Sequence, residues 1–174
     1  RLAVVVVYQP LAPAPARDVF LPARYETMLC DIYARAGLER GVSAPAGAIA
    51  GASTRLRSRL DARRGLLRIE VESAGSDLEA FVDGLLREQR AGVAQVDLRL
   101  SDPGVGAAVE ALRELGFFFC ALLPEFAASG DVLRLQRLAV ESATLPDLVF
   151  PEARGILDAA LAARMPRSPR ETSS

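Results

Sequence analysis

The stretch from Val96 to Leu138, VDLRLSDPGVGAAVEALRELGFFFCALLPEFAASGDVLRLQRL, constrains the fold most, because it leaves hardly a residue unassigned. Val96, Leu98 and Leu100 alternate with Asp97 and Arg99, the period of a strand with one buried face. Asp102 stands where a helix N-cap belongs, and Pro103 follows at the first helical position, where a missing N–H costs nothing. Val105, Ala108, Val109 and Leu112 fall on one helical stripe, and Gly116 after Leu115 supplies the left-handed turn that ends such a helix. Phe117 to Leu123 is a nearly unbroken apolar run, expected to be a strand covered on both faces. Pro124 to Gly130 reads as a turn, and Leu133 and Leu135 alternate with Arg134 and Gln136 in a last strand. The predicted order is strand, helix, strand, strand.

Upstream, Leu2 to Tyr8 is a β-branched run expected to form a buried strand, and Pro10, Pro13 and Pro15 make an extended linker. Pro22 can open a helix to about Ala36, with Tyr25, Met28, Leu29, Ile32 and Tyr33 on one face and Gly37 near its end. Residues 41–53 are rich in Ala, Gly, Ser and Pro without periodicity, the composition of a mobile loop. Leu56 and Leu60, then Leu67, Ile69 and Val71, alternate with charged residues on either side of Arg63-Arg64-Gly65, predicting a hairpin. Ser76 and Glu79 have capping-box spacing ahead of a helix carrying Leu78, Phe81, Val82, Leu85 and Leu86. Pro151 opens a last helix with Ile156, Leu157, Ala160 and Leu161, and the tail from Met165 is proline-, serine- and arginine-rich, the composition of a disordered end. The expected division is an N-terminal strand and linker over 1–21, a domain over 22–140, a helical extension over 141–164 and a tail over 165–174. The fold class that fits is α+β, a mixed and mostly antiparallel sheet with flanking helices.

Composition removes several functions. A chain of 174 residues with 51% hydrophobic content can bury one ordinary core. Its net charge of −1 gives no concentrated basic face for nucleic acid. Its basic residues are all arginine, and lysine and asparagine are absent, which points to the coding bias of a GC-rich, bacterial genome before it points to function. Without histidine, Ser–His and Cys–His nucleophiles and His-based metal sites are excluded, and no metal ligand set is expected. Cys30 and Cys120 both lie in apolar contexts and are expected to be small core residues in a reducing compartment. No window approaches the ~20 apolar residues of a membrane span, so a cytoplasmic protein without membrane partners is expected. The chain opens on Arg1 and is expected to be a segment of something longer.

The string AVEALRELGFFFCALLPEFAASGDVLRLQRL resembles the C-terminal half of the GNAT acyltransferase superfamily, where a helix ends in a Leu-Gly-Phe corner before a strand, a Gly-Asp loop and a final strand. The likeness is clearest over Val93 to Leu138. It implies a domain that binds acetyl-CoA or another acyl-CoA where two neighbouring strands splay apart, and that transfers the acyl group to an amine. The loop matching the family's phosphate-binding loop is Ser73-Ala74-Gly75-Ser76-Asp77, which makes Gly75 and Ser76 the cofactor-binding candidates. It has one glycine in place of the family's Gly-x-Gly pattern, and Asp77 sets a carboxylate beside the expected phosphates. The family's glutamate base on the central strand points to Glu70 and Glu72 as catalytic candidates. The family's tyrosine acid, four residues before the corner glycine, is replaced by Leu112, and Asp131 matches the Gly-Asp loop.

Two functional readings follow. One is an acyl-CoA-dependent N-acyltransferase with an eroded active site. The other is a non-catalytic module of the same fold that senses a ligand or docks another domain of the same polypeptide. A third, an unrelated α+β interaction domain, shares only the order of elements.

Overall fold

The computed structural model describes residues 14–128 and 130–139. The strand expected over Leu2–Tyr8, the helix at Pro151, the extension over 141–164 and the tail lie outside these residues. Among the described residues, β1 (Arg17–Phe20) and β2 (Arg40–Ser43) form a parallel pair joined by α1 (Glu26–Arg35). β3 (Arg55–Asp61), β4 (Leu66–Ser73), β5 (Val93–Arg99), β6 (Phe118–Ala127) and β7 (Gly130–Leu138) make a sheet in the order β3-β4-β5-β7-β6. Helix α2 (Leu78–Gln89) links β4 to β5, and α3 (Val105–Glu114) links β5 to β6. β4 and β5 run parallel and the other neighbours antiparallel, so the sheet is the mixed, mostly antiparallel one expected.

The core follows from strand alternation. Ile69, Val96, Leu135 and Phe119 are register partners along one row, and Leu56, Val71, Leu98, Leu133 and Leu122 along the next. These rows face Leu29 and Tyr33 of α1, Leu78 and Val82 of α2, and Val105, Ala108, Val109 and Leu112 of α3 in one apolar cluster. Val19 and Leu21 join the same cluster, so the core takes in residues ahead of the expected boundary at 21/22. The opposite face carries a charged row, Arg57, Glu70, Asp97 and Arg134.

Glycine ends two helices in the same way. Gly116 has φ +84°, its N–H donates to Arg113 O and the Phe117 N–H donates to Leu112 O. Gly37, at φ +64°, makes the matching bond to Ala34, with Leu38 bonded to Tyr33. Both are Schellman ends, which explains the Leu-Gly-Phe corner: Phe117 and Leu112 are brought together as the buried apolar pair that accompanies this motif.

Several local expectations need correction. Ser76 and Glu79 form no capping box; α2 has Asp77 at its N-cap, and the Ser76 hydroxyl donates instead to Ala52 O at 3.2 Å. Asp102 caps one turn early, its Oδ1 accepting the Gly104 N–H at 2.8 Å, and α3 begins at Val105. Pro22 opens a turn rather than the helix, with Tyr25 N–H donating to Pro22 O at 2.9 Å. The strand β6 continues through Pro124 to Ala127, which an edge strand permits because the missing N–H has no ladder partner to lose. Residues 41–53 are not one loop: Gly41, Val42 and Ser43 belong to β2, and Gly51 bridges Gly75. Cys30 is exposed rather than in the core, and Cys120 is half-buried.

Candidate functional site: the mouth between the parallel strands

The register between β4 and β5 runs from Leu66–Val93 to Val71–Leu98 and stops there. β4 continues to Ser73 beside Arg55 of β3. On the other side Leu100 donates its N–H to Asp131 O at 3.0 Å, and its carbonyl accepts the Phe20 N–H at 2.7 Å. The ladder between β4 and β5 therefore ends at Val71 and Leu98, while each strand keeps its outer neighbour to its carboxyl end. The connections leaving those ends lead to the N-termini of α2 and α3. Crevices at the carboxyl ends of parallel strands are where open α/β sheets take ligands, since helix N-termini and backbone N–H groups collect there.

The chain itself crosses this mouth. At the α3 side, Ala46 N–H donates to Pro103 O at 2.7 Å, and a Cβ at Gly106 would meet Pro45 Cγ at 3.0 Å. At the α2 side, Gly75 N–H donates to Thr54 Oγ1 at 3.0 Å and Ser76 N–H to Gly51 O at 2.8 Å. Thr54 N–H donates in turn to Asp77 Oδ1 at 2.6 Å. Hydrogen bonding from Thr54, through its side chain first and its N–H second, holds the Asp77 carboxyl below its ordinary range. Residues 45–54 therefore form a strap over both connections. Gly75 is required by this packing, because a Cβ there would overlap the backbone of Ser53 and Thr54.

The sequence candidates fall in two places. Gly75 and Ser76 sit at the mouth with their N–H groups directed to the strap. Glu70 and Glu72 lie on the charged face of β4: Glu70 is exposed, level with Asp97, and Glu72 forms an ion pair with Arg57, Oε1 to Nε 2.7 Å, where the Arg57 side chain is 79% exposed. Leu112 is fully buried at the end of α3, so the position where the resemblance expects an acid is part of the core. Asp97 binds Arg134 through two bonds of 2.6 and 2.7 Å, and the Arg134 guanidinium lies 5.4 Å from the Phe126 ring centroid. Burial pushes the Cys120 thiol up, against the pull of Arg134, which disfavours the reactive thiolate.

Asp131, noted only as a match to the Gly-Asp loop, is the centre of a buried polar cluster. Its carboxylate accepts Tyr33 Oη at 2.7 Å, Arg40 Nε at 2.7 Å and the Glu125 N–H at 2.9 Å. Glu125 accepts Arg40 Nη2 at 3.0 Å and Arg17 Nε at 2.9 Å. A bulge in β6 makes this possible: Glu125 has φ +50° where the register with β7 shifts, turning its N–H toward Asp131. The cluster ties β1 and β2 to the β6–β7 hairpin. Every member is hydrogen-bonded within it, so it reads as a structural clamp and not as a vacant site. Residue spacing held no signal for it, because its partners are contributed by separate elements.

No family model matches the chain, and no curated protein matches it. Solved structures do. Nourseothricin acetyltransferase is 20% identical over 50% of this chain and 58% of its own, with a TM-score of 0.37. A putative acetyltransferase from Salmonella typhimurium, solved with its cofactor acetyl-CoA, is 18% identical over 55% of this chain and 61% of its own, with a TM-score of 0.37. A point mutant of spermidine N-acetyltransferase from Vibrio cholerae is 14% identical over 64% of this chain and 74% of its own, with a TM-score of 0.36. The chain spans about three fifths of the length of the first two.

Proposed function

We propose that this chain is a GNAT-like domain that takes an acyl-CoA at the mouth between β4 and β5 and has lost efficient acyl transfer, acting as a ligand-sensing or docking module within a larger bacterial, cytoplasmic protein. The observation that carries the reading is the end of the β4–β5 ladder at Val71 and Leu98, beside the N-terminus of α2. Gly75 and Ser76 are the N–H donors this reading assigns to the ligand's phosphates. Loss of turnover follows from the buried Leu112, which has no proton to give, and from Glu70 and Glu72 lying on the charged face of β4. Titration of acetyl-CoA by calorimetry tests the ligand. Occupancy at a hundredfold excess over the dissociation constant is expected to stabilise the fold by about 2.7 kcal/mol. No heat and no thermal shift at millimolar acetyl-CoA would remove the reading.

A catalytic reading is favoured by one observation: Glu72 follows directly on Val71, the last residue of β4 paired with β5, and so borders the mouth. Under it, an amine attacks the thioester carbonyl with help mainly from positioning and backbone hydrogen bonding, Glu70 or Glu72 takes the amine proton, and the carbon–sulfur bond breaks to release CoA, whose thiolate takes a proton from water. Transfer to an amine such as a polyamine or a peptide N-terminus would then be measurable and would fall in Glu70→Gln or Glu72→Gln. Unchanged rates in both would dismiss these bases.

A further inference from the structure

The strap makes a second claim on the donors that the proposed ligand needs. Gly51 O and Thr54 Oγ1 accept the N–H groups of Ser76 and Gly75, the positions where phosphate oxygens would stand. The Gly51–Gly75 bridge runs parallel, so the strap lies along the end of β4 as an extra length of extended chain. Its far end is fixed by the Ala46–Pro103 bond and by Ile49, whose Cα lies 3.7 Å from where a Cβ on Gly104 would be. Within residues 45–54, Pro45, Ile49 and Thr54 are half-buried and the others are exposed. Lifting the strap therefore releases few buried side chains of its own and exchanges a handful of exposed or part-buried hydrogen bonds for bonds to water, the pattern of a segment at the low-stability end of a fold.

We propose that residues 45–54 are a built-in competitor for the mouth, closing it until a phosphate-bearing ligand displaces them. The strap and the ligand satisfy the same Gly75 and Ser76 N–H groups and so exclude one another. Affinity for ligand is then set by the population of the lifted state, which strap substitutions can change without touching those donors. This inference rests on the ligand reading above and adds the regulation of the same site.

The test compares the full chain with the Ile49→Ser, Thr54→Val double variant, which removes the apolar anchor and the hydroxyl acceptor. Acetyl-CoA is the probe, measured by calorimetry, with circular dichroism confirming the fold. The variant is expected to bind at least tenfold more tightly. Equal affinities overturn the strap and leave the ligand reading intact, whereas no binding to either protein overturns both. Amide hydrogen exchange on the unaltered chain gives a measurement that needs no variant. Added acetyl-CoA is expected to release protection at the strap donors Ala46 and Thr54 while Gly75 and Ser76 stay protected. Unchanged exchange at Ala46 and Thr54 in the bound state would overturn the proposal.

Discussion

Arg40 donates its Nε–H to Asp131 Oδ2 at 2.7 Å although the residues are 91 positions apart, and their side chains are 1% and 0% exposed. The guanidinium also stacks 5.6 Å from the Tyr33 ring centroid and donates to Glu125, so both charges are fully engaged. Breaking such a pair strands the other charge in the interior. Arg40→Ala or Asp131→Ala is expected to lower unfolding stability by about 3–5 kcal/mol, measured as a fall in the urea midpoint. A loss below about 1 kcal/mol in both would show that the clamp contributes little.

The same cluster contributes to both pH limits. Burial would raise the Asp131 carboxyl, but hydrogen bonds from Arg40, the Glu125 N–H and Tyr33 outweigh it and hold the group below its ordinary value. A depressed folded value means stability that is present above the unfolded value of about 4 and is lost as pH falls through the folded one. Tyr33 is shifted upward, first by burial and then by its bond to Asp131. An elevated folded value means stability that is whole below the unfolded value of about 10 and declines as pH rises beyond it. Melting temperatures are therefore expected to fall below about pH 4 and above about pH 10. Tyr33→Phe should lessen the alkaline decline, leaving the share of buried Tyr25, which is also shifted upward by burial, and an unchanged alkaline limb would remove Tyr33 as a contributor.

Placing a tyrosine where the GNAT resemblance expects an acid should fail. Leu112 is fully buried where the Phe117 N–H returns to its carbonyl, so Leu112→Tyr adds a ring and a hydroxyl to a filled core. Overpacking of this kind costs about 1–3 kcal/mol. The expected outcome is a lower melting temperature with no acetyl transfer, and appearance of turnover would contradict the proposal that the domain is non-catalytic.

Gly75→Ala offers a steric wedge. The added Cβ meets main chain of Ser53 and Thr54, which cannot rotate away, so the strap must shift while α2 stays in place. Faster exchange at the Thr54 amide with helical content unchanged is the expected result. Retained protection at Thr54 would mean that the β4–α2 connection yields and the strap does not.

Sequence by itself determined the elements and their order over Val96–Leu138, because alternation, helical stripes and the glycine that ends a helix are local properties that a short window contains. It also placed Tyr25, Leu29 and Tyr33 on a buried stripe, since helical spacing and apolar character agree there. The tertiary structure alone decided the rest. Asp131 became the centre of a clamp because Arg40, Tyr33 and Glu125 arrive from three other elements, and no local pattern encodes a partner so far along the chain. Likewise, a run of Ala, Gly, Ser and Pro without periodicity became a strap because small residues let its main chain lie against the Gly75–Asp77 turn. Hydrogen bonds between two backbones depend on proximity far more than on side-chain identity, so their partners emerge only once the chain is folded.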